Sequence, residues 1–169
     1  QPAMKLSQVP LSDTWGAMEE LVHQGLIKRI GVCNYNSGLL HDLMSYAIVK
    51  PAELQIESHP YLCQESLIRL AKNYGMAVTA FSPFGALSYI ELDMAGADES
   101  VLTQKIITQS AEKYNKTPAQ IVLRWGIQRG CSVITKTTKT ERLQENLDVF
   151  DFALSEDEMA AVTALNQNR

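Results

Sequence analysis

Apolar residues recur along the chain at helical spacing and then in short unbroken runs, in alternation. Trp15, Met18, Leu21 and Val22 fall on one face of a helix that Ser12 caps and Gly25 ends at a left-handed position. Residues 27–34 then read as a strand whose latter part is apolar enough to be buried. The pattern repeats: Leu39, Leu40, Leu43, Met44 and Ala47 give a second helix, Pro51 breaks it, and residues 52–57 give a second strand. Leu67, Ile68, Ala71 and Tyr74 give a third helix closed by Gly75, followed by a strand over 76–81. After a long loop, roughly 82–99, come helices through Ile106, Ile107 and Tyr114 and through Ile121, Val122 and Trp125. The second of these starts with Thr117 as N-cap, Pro118 at the first helical position and Gln120 closing a capping box. Gly130 ends it, and residues 132–136 form a short strand. Two helices complete the chain, the last opening on the capping box Ser155-Glu156-Asp157-Glu158 and presenting Met159, Val162 and Leu165. Residues 1–11, with two prolines and no clear period, read as a connector.

Short apolar strands alternating with helices indicate parallel βαβ units within a single domain, residues 1–169. Four such units fit either an open doubly wound sheet or part of a (β/α) barrel. Polar residues separate the two. Asn34, Gln55, Phe81-Ser82 and Lys136-Thr137 all fall at or just beyond the C-terminal ends of the strands, where (β/α) barrels build their sites, and no GxGxxG follows any strand. The barrel is therefore the expected fold.

Composition narrows the function more than the fold. The hydrophobic and charged fractions, 46% and 20%, are those of an ordinary globular chain. A net charge of −4 argues against a nucleic-acid partner held by broad electrostatics. Cys33, Cys63 and Cys131 are odd in number and lack metal-ligand spacing, which fits a reducing compartment and signals no metal. Cys33 is expected to be buried and inert. With no apolar run near 18 residues and no charged-then-apolar leader, the expectation is a soluble, cytoplasmic protein without a membrane span.

Local charge matters more than the total. In the stretch 132–146 a strand is followed by a polar turn and a helix with Arg142 in its first turn. A helix start offers unpaired N–H groups and the positive end of a dipole, so Lys136, Thr137 and Arg142 make a site suited to phosphate. The same spacing also fits a strand–turn–helix with solvated charges. Of the histidines, His23 and His41 lie on helix surfaces, and His59 is expected to pack or hydrogen-bond rather than catalyse.

An ordered series of motifs resembles the aldo/keto reductases: residues 13–22, Ile30-Gly31-Val32-Cys33-Asn34-Tyr35, residues 51–61, Thr79-Ala80-Phe81-Ser82-Pro83-Phe84-Gly85, and Lys136-Thr137 with Glu141-Arg142-Leu143 and Glu145-Asn146. Within that family the chain is most similar to the sugar-directed branch, the xylose reductases and aldose-6-phosphate reductases. The resemblance implies a (β/α)8 TIM barrel using NADP(H), of which this chain supplies strands 5–8. It further implies that Asn34 and Gln55 bond the nicotinamide carboxamide, where strand-end amides satisfying loop backbone are the alternative. Phe81 would stack on the nicotinamide in place of the usual tyrosine, and Ser82, Phe84 and Gly85 belong to the segment covering the pyrophosphate. Lys136, Thr137 and Arg142 would clamp the 2′-phosphate, and Glu145 and Asn146 would contact adenine. Thr138 stands where sugar reductases often have Asn, and Cys33 where many have Ser. The first departure bears on NADP-over-NAD preference.

The family's reaction needs a tyrosine acting with a lysine, an aspartate and a histidine, all on the first four strands. The tyrosines present, Tyr35, Tyr46, Tyr61, Tyr74, Tyr89 and Tyr114, do not match that position, so no catalytic residue is assigned. The complete fold needs roughly 250 residues. The expectation is thus the cofactor-binding half of a reductase converting an aldose or aldose phosphate to the polyol, inactive alone, with the missing N-terminal half or a homodimer partner covering its open face. A half-barrel that binds dinucleotide or a partner chain without turnover is the alternative. An open-sheet phosphate-binding protein, which would need helices on both faces, is a third.

Overall fold

The computed structural model describes residues 8–85, 96 and 100–168. Four strands, β1 Gly31–Cys33, β2 Glu53–Glu57, β3 Ala77–Phe81 and β4 Ser132–Val133, form one parallel sheet in the order β1-β2-β3-β4. The helices among the described residues are α1 Leu11–His23, α2 Ser37–Tyr46, α3 Glu65–Asn73, α4 Lys105–Tyr114, α5 Pro118–Gln128, α6 Thr140–Leu147 and α7 Glu156–Thr163. Each crossover joins neighbouring strands in the same sense, and parallel crossovers are right-handed, so the helices gather on one face. Burial follows: Val32, Leu54, Ile56 and Val78 are buried against α1–α3, while Gly31 and Cys33 are exposed and Glu53, Gln55 and Glu57 partly so. The strand order does not reverse among the described residues, unlike that of a doubly wound sheet.

Two cores lie under the helices. One joins Trp15, Leu40, Leu43, Leu54, Ile56 and Ile68, and the other joins Tyr61, Ile107, Ile121, Trp125, Leu154 and Val162. Helix ends follow local chemistry. Gly25, Gly75 and Gly130 have φ of 72°, 76° and 74°, the left-handed conformation that ends α1, α3 and α5. Both capping boxes, Thr117/Gln120 and Ser155/Glu158, are formed.

Several boundaries differ from the sequence reading. β1 begins at Gly31, not at Ile27, because the ladder with β2 starts only there. β4 ends at Val133, with one further bond from Ile134 N–H to the Ala80 carbonyl. α1 starts at Leu11 with Pro10 as N-cap: the Pro10 carbonyl accepts from Asp13 and Thr14 N–H, and Ser12 lies inside the helix. Leu21, assigned to the buried face of α1, is exposed near its end. Val101–Thr103 forms a 3-10 turn within what read as the end of a loop or start of a helix. Of the connector, residues 1–11, only 8–11 are described, Leu11 already within α1, and 86–95 and 97–99 of the loop, Tyr89 among them, lie outside the described residues.

Glu19, to which periodicity gives no role, is buried on α1 beside Trp15. Its Oε1 accepts from Ile48 N–H at 2.7 Å and Val49 N–H at 2.9 Å, while Trp15 Nε1 donates to the Val49 carbonyl at 3.2 Å. Together they fix the turn that leads into β2. Glu19→Ala strands two donors of a charge-assisted pair and is expected to cost about 1.5–3 kcal/mol, read as a lower urea midpoint.

Candidate functional site at the C-terminal edge of the sheet

The parallel register sets Cys33, Gln55, Thr79 and Ser132 at one level on the uncovered face. Glu57 pairs with Phe81 one level nearer the C-terminal ends. Asn34 closes β1 with φ of 60°, a left-handed conformation that asparagine tolerates, and its N–H donates to the Gln55 carbonyl at 2.9 Å. The two amides are thereby held side by side. Neither side chain makes a hydrogen bond among the described residues, so they do not serve to satisfy loop backbone.

Phe81, half-buried, ends β3 on the same face. Ser82 (φ 49°) then starts a tight turn in which Gly85 N–H bonds the Ser82 carbonyl at 2.9 Å. Gly85 is needed for its φ of 70°, since a Cβ there would meet His59 and Val101 at an ordinary 3.8 Å. Phe84 packs against the second core, so its ring is not brought to the open edge with the others.

Beyond β4 the chain turns into α6. Lys136 is exposed, Thr137 Oγ1 accepts from Lys139 N–H at 3.1 Å, and Lys139 occupies the N-cap without a side-chain cap bond. Arg142, exposed in the first turn, follows. None of Lys136, Lys139 and Arg142 is in an ion pair among the described residues. Three uncompensated cations beside an uncapped helix start form an anion-attracting surface.

Glu145 and Asn146 sit, half-buried, at the other end of α6. Thr117 Oγ1 donates to Glu145 Oε1 at 2.5 Å, and buried Gln120 donates through Nε2 to the carbonyls of Glu145 (3.1 Å) and Asp148 (2.7 Å). Gln120, recognisable in the sequence only as a capping residue, therefore positions α6. Glu53 was missed as well: its carboxylate accepts from Thr79 Oγ1 across the open face. The polar run Glu53, Gln55, Glu57 at every second position was the available signal.

Cys33 does not follow the expectation. It is exposed, because its parity in β1 places it on the uncovered face beside Gln55. Cys63 and Cys131 are buried, and burial pushes the Cys63 thiol up to about 11. Tyr46 and Tyr74 lie at the C-terminal ends of α2 and α3, the end of the fold opposite to the site, and Tyr114, at the end of α4, donates its hydroxyl to Glu158 Oε2 at 2.6 Å. Tyr35 and Tyr61 pack into the cores. His41 Nδ1 lies 2.5 Å from Tyr74 Oη, so this histidine is bonded at the surface rather than merely solvated. Among the described residues no group of three or more His, Cys, Asp or Glu is placed to hold a metal, and no helix is long and apolar enough to cross a membrane.

His59 is buried with Nε2 3.3 Å from Glu57 Oε1. Burial lowers its pKa, with the Glu57 carboxylate pulling the other way. The unfolded chain then takes up the proton first on acidification, so stability is expected to fall as pH drops below about 6.5. Urea unfolding at successive pH values reads this directly, and His59→Gln should flatten that part of the curve.

The family model described as the aldo/keto reductase family matches residues 5–167. The chain belongs to the aldo/keto reductase family. Among curated reductase relatives, a probable NAD(P)H-dependent D-xylose reductase of Arthroderma otae is 49% identical over 161 residues, covering 94% of this chain and 49% of the relative. Those of Aspergillus fumigatus and Aspergillus niger are 46% and 42% identical, each over at least 97% of this chain and 53% and 52% of their own lengths. The structure of the aldose reductase from Schistosoma japonicum superposes with a TM-score of 0.85 at 34% identity, over 98% of this chain and 50% of the other. The chain thus spans about half the length of the curated relatives it matches.

Proposed function

We propose that this chain forms strands 5–8 and the cofactor-holding half of an NADP(H)-dependent reductase that converts an aldose or aldose phosphate to the polyol. What carries the reading is the conjunction, along one edge of the sheet, of an aromatic platform with two amide side chains and a cation cluster that have no partners among the described residues. The donor set fits the cofactor. Asn34 and Gln55 can each donate to and accept from a carboxamide, the face of Phe81 supports a flat ring, and Lys136, Thr137 and Arg142 suit a phosphate monoester. Ser82 would cover the pyrophosphate, and Glu145 and Asn146 would meet adenine. Bound there, the nicotinamide supplies the hydride, and the residues of this chain orient it. The proton donor belongs to the half of the barrel that this chain does not contribute.

The test joins the chain, at its N-terminal side, to the first half of the Aspergillus niger relative and follows NADPH and NADH by fluorescence titration. Saturable NADPH binding, tighter than NADH, is expected. A folded joined protein that binds neither overturns the assignment. The second reading is a half-barrel that binds dinucleotide without turnover, in which the same cofactor surface serves binding alone. NADPH oxidation driven by xylose in the joined protein decides between the two.

A further inference from the structure

The uncovered face of the sheet has a one-sided charge. Side chains alternate in β-strands, so Glu53, Gln55 and Glu57 all stand on that face, and the strand positions sharing it in β1, β3 and β4 carry no Lys or Arg. Glu53 is bonded by Thr79 Oγ1, and Glu57 has only His59, which burial keeps neutral at neutral pH. No cation is paired with either carboxylate among the described residues. While the face is open, water solvates them. Once it is enclosed, a carboxylate without a partner is strongly unfavourable.

The two edges of the sheet tell of enclosure. β1 pairs only with β2 and β4 only with β3, so each leaves one edge without a strand among the described residues. The helix attached to each edge strand also leaves apolar residues uncovered. On α6, anchored to α5 through Glu145, Leu143 and Leu147 lie one turn apart at 55% and 69% exposure, with Phe150 just beyond at 70%. Between α1 and β1, Leu26 is 69% exposed and Leu21 also stands out. The curated relatives are about twice as long as this chain.

Resting on the reading of this chain as half a reductase barrel, we infer that its open face and apolar edges receive a different half-barrel whose inward face supplies cationic or N–H donor groups to Glu53 and Glu57. They do not receive a second copy of the chain. Two copies facing each other would enclose four carboxylates and no cation, a like-charge arrangement that works against self-pairing. A complementary half turns the same carboxylates into a selection device, since only an inward face with donors at their level closes without stranding a charge.

The experiment compares the chain alone with the joined protein described above, each as wild type and as Glu57→Gln. Native mass spectrometry reads assembly, and urea unfolding reads stability. The isolated chain is expected to be a single copy, with Glu57→Gln changing its folding equilibrium constant less than about twofold, because the half-buried carboxylate still meets water and Gln keeps a hydrogen-bonding group beside His59. In the joined protein the same substitution should lower that constant about tenfold or more, because it breaks a buried charge pair. An unfolded joined variant beside a folded isolated one counts as the same result. A stable two-copy assembly of the isolated chain, or an equal effect of Glu57→Gln in both proteins, overturns the inference. NADPH titration of the joined protein separates the two proposals. Loss of dinucleotide binding with the Glu57 contrast intact sinks the cofactor reading alone, and the reverse pattern sinks the docking face alone.

Discussion

Arg142→Ala in the joined protein is expected to weaken NADPH binding by about 1.5–3 kcal/mol, roughly ten- to a hundredfold in Kd, and to leave NADH nearly unchanged. The range for a single charge-assisted contact applies, and not the larger losses at buried charge pairs, because Arg142 is exposed, so water solvates it before binding and screens it afterwards. The contrast between the two dinucleotides matters more than the size of the loss. They differ by one phosphate monoester, so a side chain that contacts only that group discriminates between them, whereas one that merely stabilises α6 weakens both. Arg142 suits the discriminating role: it makes no ion pair among the described residues and packs against no core. Raising the salt concentration should shrink the NADPH preference of the wild type and have little effect on the variant. Equal weakening of both dinucleotides would move Arg142 from the phosphate to the scaffold.

What the sequence made legible was local chemistry. Helix ends at Gly25, Gly75 and Gly130 were readable because only a left-handed residue ends a helix that way, and both capping boxes because their partners lie three residues apart. The ends of β1 and β4 were not, because a strand ends where its neighbour stops pairing, and that neighbour is more than 20 residues away in sequence. Glu19 and Gln120 escaped for the same reason: their bonds reach 29 and 28 residues along the chain. Cys33 was misjudged because an apolar run around a strand was taken to be buried on both faces, as in a covered parallel sheet. Here only one face is covered, and the parity of a single residue decides which side it meets.

The site residues divide in the same way. The sequence placed Asn34, Gln55 and Phe81 at strand ends; the register explains why Gln55 and Phe81 face the same side, and the backbone bond of Asn34 to Gln55 holds the end of β1 beside them. Among the described residues, the freedom of the Asn34 and Gln55 side chains from hydrogen bonds and the lack of counter-ions around Lys136, Lys139 and Arg142 are properties of the assembled fold that no spacing encodes.

Trp125→Ala is expected to cost about 3–5 kcal/mol, a large part of the 5–15 kcal/mol that a domain has in total. The indole is 1% exposed on α5, its Nε1 donates to Thr163 Oγ1 of α7 at 3.1 Å, and the Arg129 guanidinium stacks 4.2 Å from its ring centre. Removing it empties the centre of the second core and leaves the Thr163 hydroxyl with its bond to the Met159 carbonyl alone. The consequence reaches the site through α5. At Gly126, next in sequence, a Cβ would stand 2.7 Å from Val133 Cγ1, so α5 packs directly on β4, the strand that delivers Lys136 and Thr137. The same helix holds Glu145 through Thr117 and Gln120. Both ends of the proposed dinucleotide surface on α6 therefore hang on the seating of α5. Urea unfolding should show a lower midpoint with an unchanged slope, and NADPH affinity should fall more than NADPH-over-NADH selectivity. Trp125→Phe separates the contributions, since it keeps most of the ring and loses only the donor, at an expected cost of about 1 kcal/mol. If Phe proves as costly as Ala, the indole N–H and not the packed ring is what seats α5.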